Sequence, residues 1–265
     1  MKRFFLEALV GIDRKELEKF FNRVLKPNEF KDYCPNGLQI EGRKDIKNIA
    51  FAVSATLDSI ERAIEMRANA LVVHHGLFWN HQGSKTLTGP FGRRVISIAK
   101  QHINLFGYHL PLDAHPEIGN AKSLANLIGV TSTEPFGDYK GSPTGVKGIL
   151  ATPSKASELQ EVLKIVLKHD VILASPGPEQ EIKSIGIITG GANSDWKIAA
   201  KENLDAYITG EISEYDWHES KEAGVHMFAG GHNATEKFGV QSLQQKVMET
   251  FPEVECFFID SANPA

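Results

Sequence analysis

The stretch Leu71-Val72-Val73-His74-His75-Gly76 passes from an apolar run directly into two adjacent histidines and a glycine. Ala70 to Val73 has the length and the branched side chains of a buried strand, so the histidines fall where that strand ends. In an open α/β sheet, ligands bind at strand ends. Two neighbouring histidines fit a packed or hydrogen-bonded turn as well as a metal site. The sequence on either side has to separate the two readings.

Upstream, Asp13 and Glu16 have the spacing of a capping box, and Leu17, Phe20, Phe21, Val24 and Leu25 give one apolar helix face that Pro27 ends. Pro35, Asn36 and Gly37 then read as a turn before Leu38 to Ile40. Ile46–Ser54 reads as a strand, and Leu57, Ile60, Ala63 and Ile64 mark a helix up to about Arg67. With Ala70–Val73 this makes a βαβ unit, which implies parallel strands joined by a right-handed crossover.

Downstream, Leu77–Gly92 is a polar, glycine-bearing loop long enough to be a lid or a subunit contact. A helix over about Phe91–Gln101 and a strand over Ile103–Phe106 lead into GYHLPLDAH, which holds His109, Asp113 and His115 between Pro111 and Pro116. His and Asp are ligands for Zn, Mn, Fe or Ni, although the spacing is common and also fits a capped loop. A helix over about Ile118–Leu127 follows.

The middle, 131–181, reads as a connecting segment. Within it Gly141–Gly148 (GSPTGVKG) is rich in turn residues, matches no phosphate-binding loop, and reads as a linker or pocket edge. Val146–Ala151 and Val171–Ala174 read as strands on either side of a helix that Ser154 would cap.

The last third repeats the first. A gap-free shift of 136 positions lays Ile46, Lys47, Ile49, Ala63 and Ala70 on identical residues at Ile182, Lys183, Ile185, Ala199 and Ala206, and puts His75 on Glu211. A shift of 123 lays His109 on His232 and Asp113 on Glu236. The expected fold is therefore α/β: a single domain over 1–265 containing an internal repeat, about 46–130 and 182–250. Its two interlocked βαβ-based halves would be related by a pseudo-twofold axis, with a metal site in the crevice between them. Such an arrangement gathers His74, His75, His109, Asp113, His232 and Glu236. Six nitrogen and oxygen donors suit two metal ions roughly 3.5 to 4 Å apart. The i, i+4 spacing of His232 and Glu236 puts both on one face if a helix starts there.

Composition narrows the function classes. The chain has 265 residues, 42% apolar and 23% charged, with a net charge of −4 and no dense Lys/Arg block, so neither nucleic acid nor a membrane is an expected partner. Cys34 and Cys256 are the only cysteines and form no metal-binding spacing, as expected in a reducing cytoplasm. The start, MKRFFLEALVGIDRKE, carries no signal-peptide cleavage pattern, and no apolar run approaches the roughly 18 residues of a membrane helix.

The set NGLQIEG, LVVHHG, YHLPLDAH, YITGE and GHNATE, in this order, resembles the Nif-three-like proteins, known as GTP cyclohydrolase I type 2 homologues, in their short form. The resemblance covers about Leu17 to Phe251. It implies a dinuclear metal centre with two divalent ions (Zn, Mn, Fe or Ni) on His74, His75, Asp113, His232 and Glu236. It also implies His109 beside the metals as a catalytic proton shuttle, and a ring-shaped homohexamer. The chain departs from the family pattern at Ser54, where many members have aspartate, and in reading HHG for HHP. His218 sits where the family often has a histidine and His81 occupies a roughly similar place in the first half; either could line the pocket, but a surface or packing role is the leading expectation for both, as it is for His102, His115, His169 and His226.

Two divalent ions would lower the pKa of a bound water from about 15.7 toward 7 and polarise the bond it attacks. Three functions follow. The first is a metal-dependent hydrolase acting on a nucleotide or related heterocycle, GTP opened at C8 with release of formate being its most specific form. The second is a dinuclear phosphoesterase. The third is a non-enzymatic metal-binding scaffold.

Overall fold

The computed structural model describes residues 11–265, so the N-terminal stretch read above for signals lies largely outside the described residues. The described residues divide into two compact units, 11–109 with 243–260 and 110–242 with 261–265.

In the first unit β1 (Ile12–Asp13) leads into α1 (Arg14–Leu25), where Asp13 caps the helix by accepting a hydrogen bond from the Lys15 amide at 2.8 Å. The apolar face read from sequence is the one that is buried: Leu17, Phe20, Phe21 and Leu25. After β2 (Gly37–Ile40) and the short β3 (Asp45–Ile46), which pairs with β1, come β4 (Asn48–Ser54), α2 (Leu57–Glu65), β5 (Ala70–His75), α3 (Gly89–Lys100) and β6 (Asn104–Gly107). Strands β4, β5 and β6 are parallel neighbours, the C-terminal strand Glu255–Phe258 extends them beside β4, and β2 closes the other edge antiparallel to β6. Ala50, Ala52, Leu71, Val73 and Leu105 from these strands pack with Ile60 and Ala63 of α2 and Ile98 of α3. β5 runs two residues past the apolar stretch and takes both histidines into the sheet; His75 pairs with Ser54.

The second unit opens with the single turn α4 (Leu110–Asp113) and α5 (Asn120–Leu127), then the hairpin β7 (Val130–Tyr139) and β8 (Ser142–Lys155), α6 (Ala156–Leu167) and β9 (Ile172–Ala174). β10 (Glu181–Ile187), α7 (Trp196–Lys201), β11 (Ala206–Thr209), α8 (Glu214–Glu222) and β12 (His226–Ala229) complete a six-stranded sheet of order β7-β8-β10-β11-β12-β9, in which β10, β11 and β12 are parallel. The long helix α9 (His232–Thr250) follows, and β13 is the Glu255–Phe258 strand already placed in the first unit. The core of this sheet packs Leu159, Leu163 and Leu167 of α6 against Ile182, Ile185, Ile208 and Phe228.

Gly141–Gly148, expected to be a linker or pocket edge, is instead mostly strand: it supplies the turn at Gly141 and the first half of β8, which pairs with β7 on one side and β10 on the other. Gly145 and Gly148 serve close packing, since a Cβ on Gly145 would come within 2.2 Å of the Ile187 carbonyl oxygen and one on Gly148 within 2.6 Å of that of Thr131. The chain is thus a mixed α/β protein with two larger sheets, and among its described residues no helix is long and apolar enough to cross a membrane.

Candidate metal centre

In the first unit the end of β5 and the residues after β6 bring three predicted site histidines together. His74, His75 and His109 each offer a nitrogen within 4.8 Å of those of the other two. Their rings lie 4.5 Å (74 to 75), 4.9 Å (74 to 109) and 5.7 Å (75 to 109) apart between centroids. Each is oriented through Nδ1. His74 donates from it to the Tyr108 carbonyl at 3.0 Å, His75 shares a hydrogen bond with Ser54 Oγ at 3.0 Å, and His109 donates to Asp32 Oδ1 at 3.0 Å. A histidine whose Nδ1 is held by an oxygen uses Nε2 toward a metal, and such an oxygen partner fixes the tautomer and raises the ligand's basicity.

Asp32 was missed by the sequence reading. Its carboxylate accepts from Asn36 Nδ2 at 2.9 Å and from the Tyr33 amide at 2.7 Å, while Asn36 Oδ1 accepts from the His109 amide at 2.8 Å. The Asp32–Asn36 turn therefore positions His109 through both its backbone and its ring. The signal was an Asp and an Asn flanking the Pro35 turn, residue types that turns use routinely. Cys34 belongs to the same neighbourhood: Asp32, Cys34 and His109 also form a group with ligand atoms within 4.8 Å.

In the second unit the first turn of α9 carries His232 and Glu236, and the expected helix start makes them neighbours, with Nε2 of His232 3.2 Å from Glu236 Oε2. His232 Nδ1 donates to Glu211 Oε1 at 2.5 Å, so the residue that the repeat laid on His75 sits behind a histidine rather than in a histidine's place. Burial works to lower the His232 pKa, but hydrogen bonds and charges from Glu236 and Glu211 outweigh it and push it up to about 9. Gly190 makes the space for this pair. It has φ +73°, and a Cβ there would meet Glu236 Oε1 at 2.0 Å. Asp113 closes α4, where its Oδ1 accepts from Asn120 Nδ2 at 2.8 Å; Asn120 in turn accepts from the Gly239 amide of α9 at 2.7 Å.

Four of the six remaining histidines make contacts away from this cluster or beside it. His115 Nδ1 accepts from the Glu117 and Ile118 amides and shapes its loop, and His226 pairs with Ser175 Oγ at 2.9 Å. His218 is exposed on α8 against Glu214 and Trp217. His81 lies in the loop after β5, its ring 6.0 Å from Trp79 and 6.2 Å from Tyr33. The donor chemistry fits a borderline divalent cation: imidazoles with Nδ1 committed to oxygen partners, together with carboxylates, and no thiolate pair that would select a softer ion.

A family model described as Duf34/NIF3 (NGG1p interacting factor 3) matches residues 12–264. A Pasteurella multocida protein named GTP cyclohydrolase 1 type 2 homolog is 40% identical over 94% of this chain and 98% of its own length. A Pyrococcus abyssi protein of the same name is 36% identical over the same shares. Among solved structures, one titled protein ybgI, unknown function, superposes with a TM-score of 0.88 at 36% identity, covering 96% of this chain and all of its own.

Proposed function

Since the chain belongs to the Duf34/NIF3 family, we propose that it is a dinuclear metal-dependent hydrolase acting on a nucleotide or related heterocycle. His74, His75, Asp113, His232 and Glu236 are its metal ligands and His109 its proton shuttle. The observation that carries the reading is the clustering of oriented histidines: ring nitrogens of His74, His75 and His109 lie within 4.8 Å of one another, and Tyr108, Ser54, Asp32 and Glu211 hold Nδ1 of His74, His75, His109 and His232, the arrangement common behind metal-binding imidazoles. The names of the relatives support the substrate class.

Divalent ions, when bound, would supply Lewis acidity and a water of lowered pKa. The protein's own groups do the rest. Asp32 accepts from Nδ1 of His109 and so leaves Nε2 as the atom that takes up or returns a proton during the reaction. The buried Tyr108 carbonyl holds the His74 ring in one tautomer. Glu211 and Glu236 flank His232, which yields its proton when it becomes a ligand.

Incubation of metal-loaded protein with GTP and a nucleotide panel tests the proposal. Formate release supports ring opening, phosphate release supports the phosphoesterase, and no product from any nucleotide leaves the scaffold. The ring-shaped homohexamer belongs to the same proposal and is tested by the solution mass.

A further inference from the structure

The loop Leu77–Gly92 and the turn at Cys34 and Pro35 line an open cleft of about 660 Å³ in the first unit, within the size range of small-molecule sites. Its lining combines the aromatic side chains of Phe78, Trp79 and Phe91 with the polar Asn80 and Ser84, and Lys85 is the one charged residue in it. Trp79 is also part of the histidine group's surroundings. Its ring centroid lies 5.8 Å from that of His75 and 5.2 Å from that of His109, and it meets His109 edge-on at 84°. The indole is held in place by donating Nε1–H to the Gly76 carbonyl at 3.2 Å, and Tyr33 packs beside it at 5.7 Å. The Asn80 amide donates to the Tyr33 carbonyl at 2.8 Å and ties the loop to the turn.

Lys85 rests on the face of Phe91, its Nζ 4.6 Å from the ring centroid, and no carboxylate among the described residues lies within ion-pair distance of it. A cavity with flat apolar walls, two neutral hydrogen-bonding side chains and one cation without an acidic counterpart selects an aromatic ligand that brings its own negative charge.

We propose that this cavity is the substrate pocket and that it takes a phosphorylated aromatic heterocycle of nucleotide class. The ring packs on Trp79, next to His75 and His109, and the phosphate is held by Lys85. The assignment rests on the hydrolase reading for its link to turnover, while the pocket itself is read by binding.

Calorimetry on the full-length protein, chelator-stripped and then zinc-loaded, uses three probes: GMP, guanosine, which lacks the charge, and ribose 5-phosphate, which lacks the ring. GMP is expected to bind the stripped protein about tenfold or more tighter than either fragment. Lys85→Ala should bring GMP down to the affinity of guanosine and leave guanosine unchanged, and Lys85→Arg should restore GMP. Trp79→Leu should weaken GMP and guanosine together, with Trp79→Phe retaining most of both, so a folding defect is told apart from a lost stacking surface. Equal GMP affinity in wild type and Lys85→Ala, or no GMP binding by either form of the protein, overturns the pocket. Binding with this pattern but no turnover of any nucleotide by loaded protein overturns the hydrolase reading alone. Turnover with a KM that Lys85→Ala does not raise overturns the pocket alone.

Discussion

Ser54 and Gly190 follow the same logic to opposite ends. Each lies at or just beyond the end of the first strand of a parallel three-strand array, β4-β5-β6 in one unit and β10-β11-β12 in the other. Ser54 offers a hydroxyl that props the ring of His75. Gly190 offers no side chain, and the space goes to the carboxylate of Glu236. The same contrast holds throughout the two donor sets. In the first, Asp32 holds His109 while the Tyr108 carbonyl and the Ser54 hydroxyl hold His74 and His75; the second sets the His232 imidazole between two carboxylates. At matching strand ends a small residue can therefore either prop a neighbouring imidazole or leave room for a carboxylate.

The largest effect should come from the donors themselves. On the proposed assignment Glu236→Gln removes an anionic ligand and His75→Ala a neutral one, and either should bring bound metal, measured by plasma mass spectrometry after desalting, to background. A protein that keeps its full metal content in both variants does not use these residues as ligands.

A smaller and more discriminating effect is expected one layer out. Glu211→Gln removes the charge behind His232 and should weaken metal binding by about ten- to a hundredfold in a chelator competition. Ser54→Ala removes a neutral partner and should cost less, and Ser54→Asp should tighten binding by giving His75 a charged partner. If Ser54→Ala costs as much as Glu211→Gln, charge is not what separates the two sets. Gly190→Ala adds strain at positive φ together with a clash on Glu236, and should cost about 1–3 kcal/mol in urea unfolding of the metal-free protein. Alanine at an ordinary exposed strand position would not.

The histidine pair in LVVHHG and the His232–Glu236 pair were legible because periodicity fixes them: an apolar run that must end, and an i, i+4 step on a helix that must start. What orients them was not legible. Asp32 reaches His109 across 77 residues and the Tyr108 carbonyl reaches His74 across 34, and neither contact leaves a local pattern. The exchange at Glu211 shows the limit of reasoning from a repeat: the aligned position joins the same cluster, but as a partner of His232 instead of a stand-in for His75. Gly141–Gly148 misled because glycine in a strand, where a neighbouring backbone crowds in, has the same composition as glycine in a loop.

The smallest effect concerns two histidines of the second unit whose surroundings push them in opposite directions. Burial holds the His226 pKa below its ordinary 6.5 against the opposing pull of Asp205, whereas His232 is raised to about 9. For His226 the folded protein binds the proton less well than the unfolded chain, so its contribution is present above pH 6.5 and is lost as pH falls through the lower folded-state value. For His232 the contribution is complete below 6.5 and is lost as pH rises through about 9. His226→Asn keeps a polar partner for Ser175 without a titrating ring, so the melting temperature of chelator-treated protein should fall less between pH 7 and pH 5 than in wild type. His232→Asn should flatten the curve between pH 7 and pH 9 and leave the acid limb unchanged. Superimposable curves for His226→Asn and wild type from pH 8 to pH 5 would mean that Asp205 fully offsets the burial of His226, and the contrast between the two histidines would then rest on His232 alone.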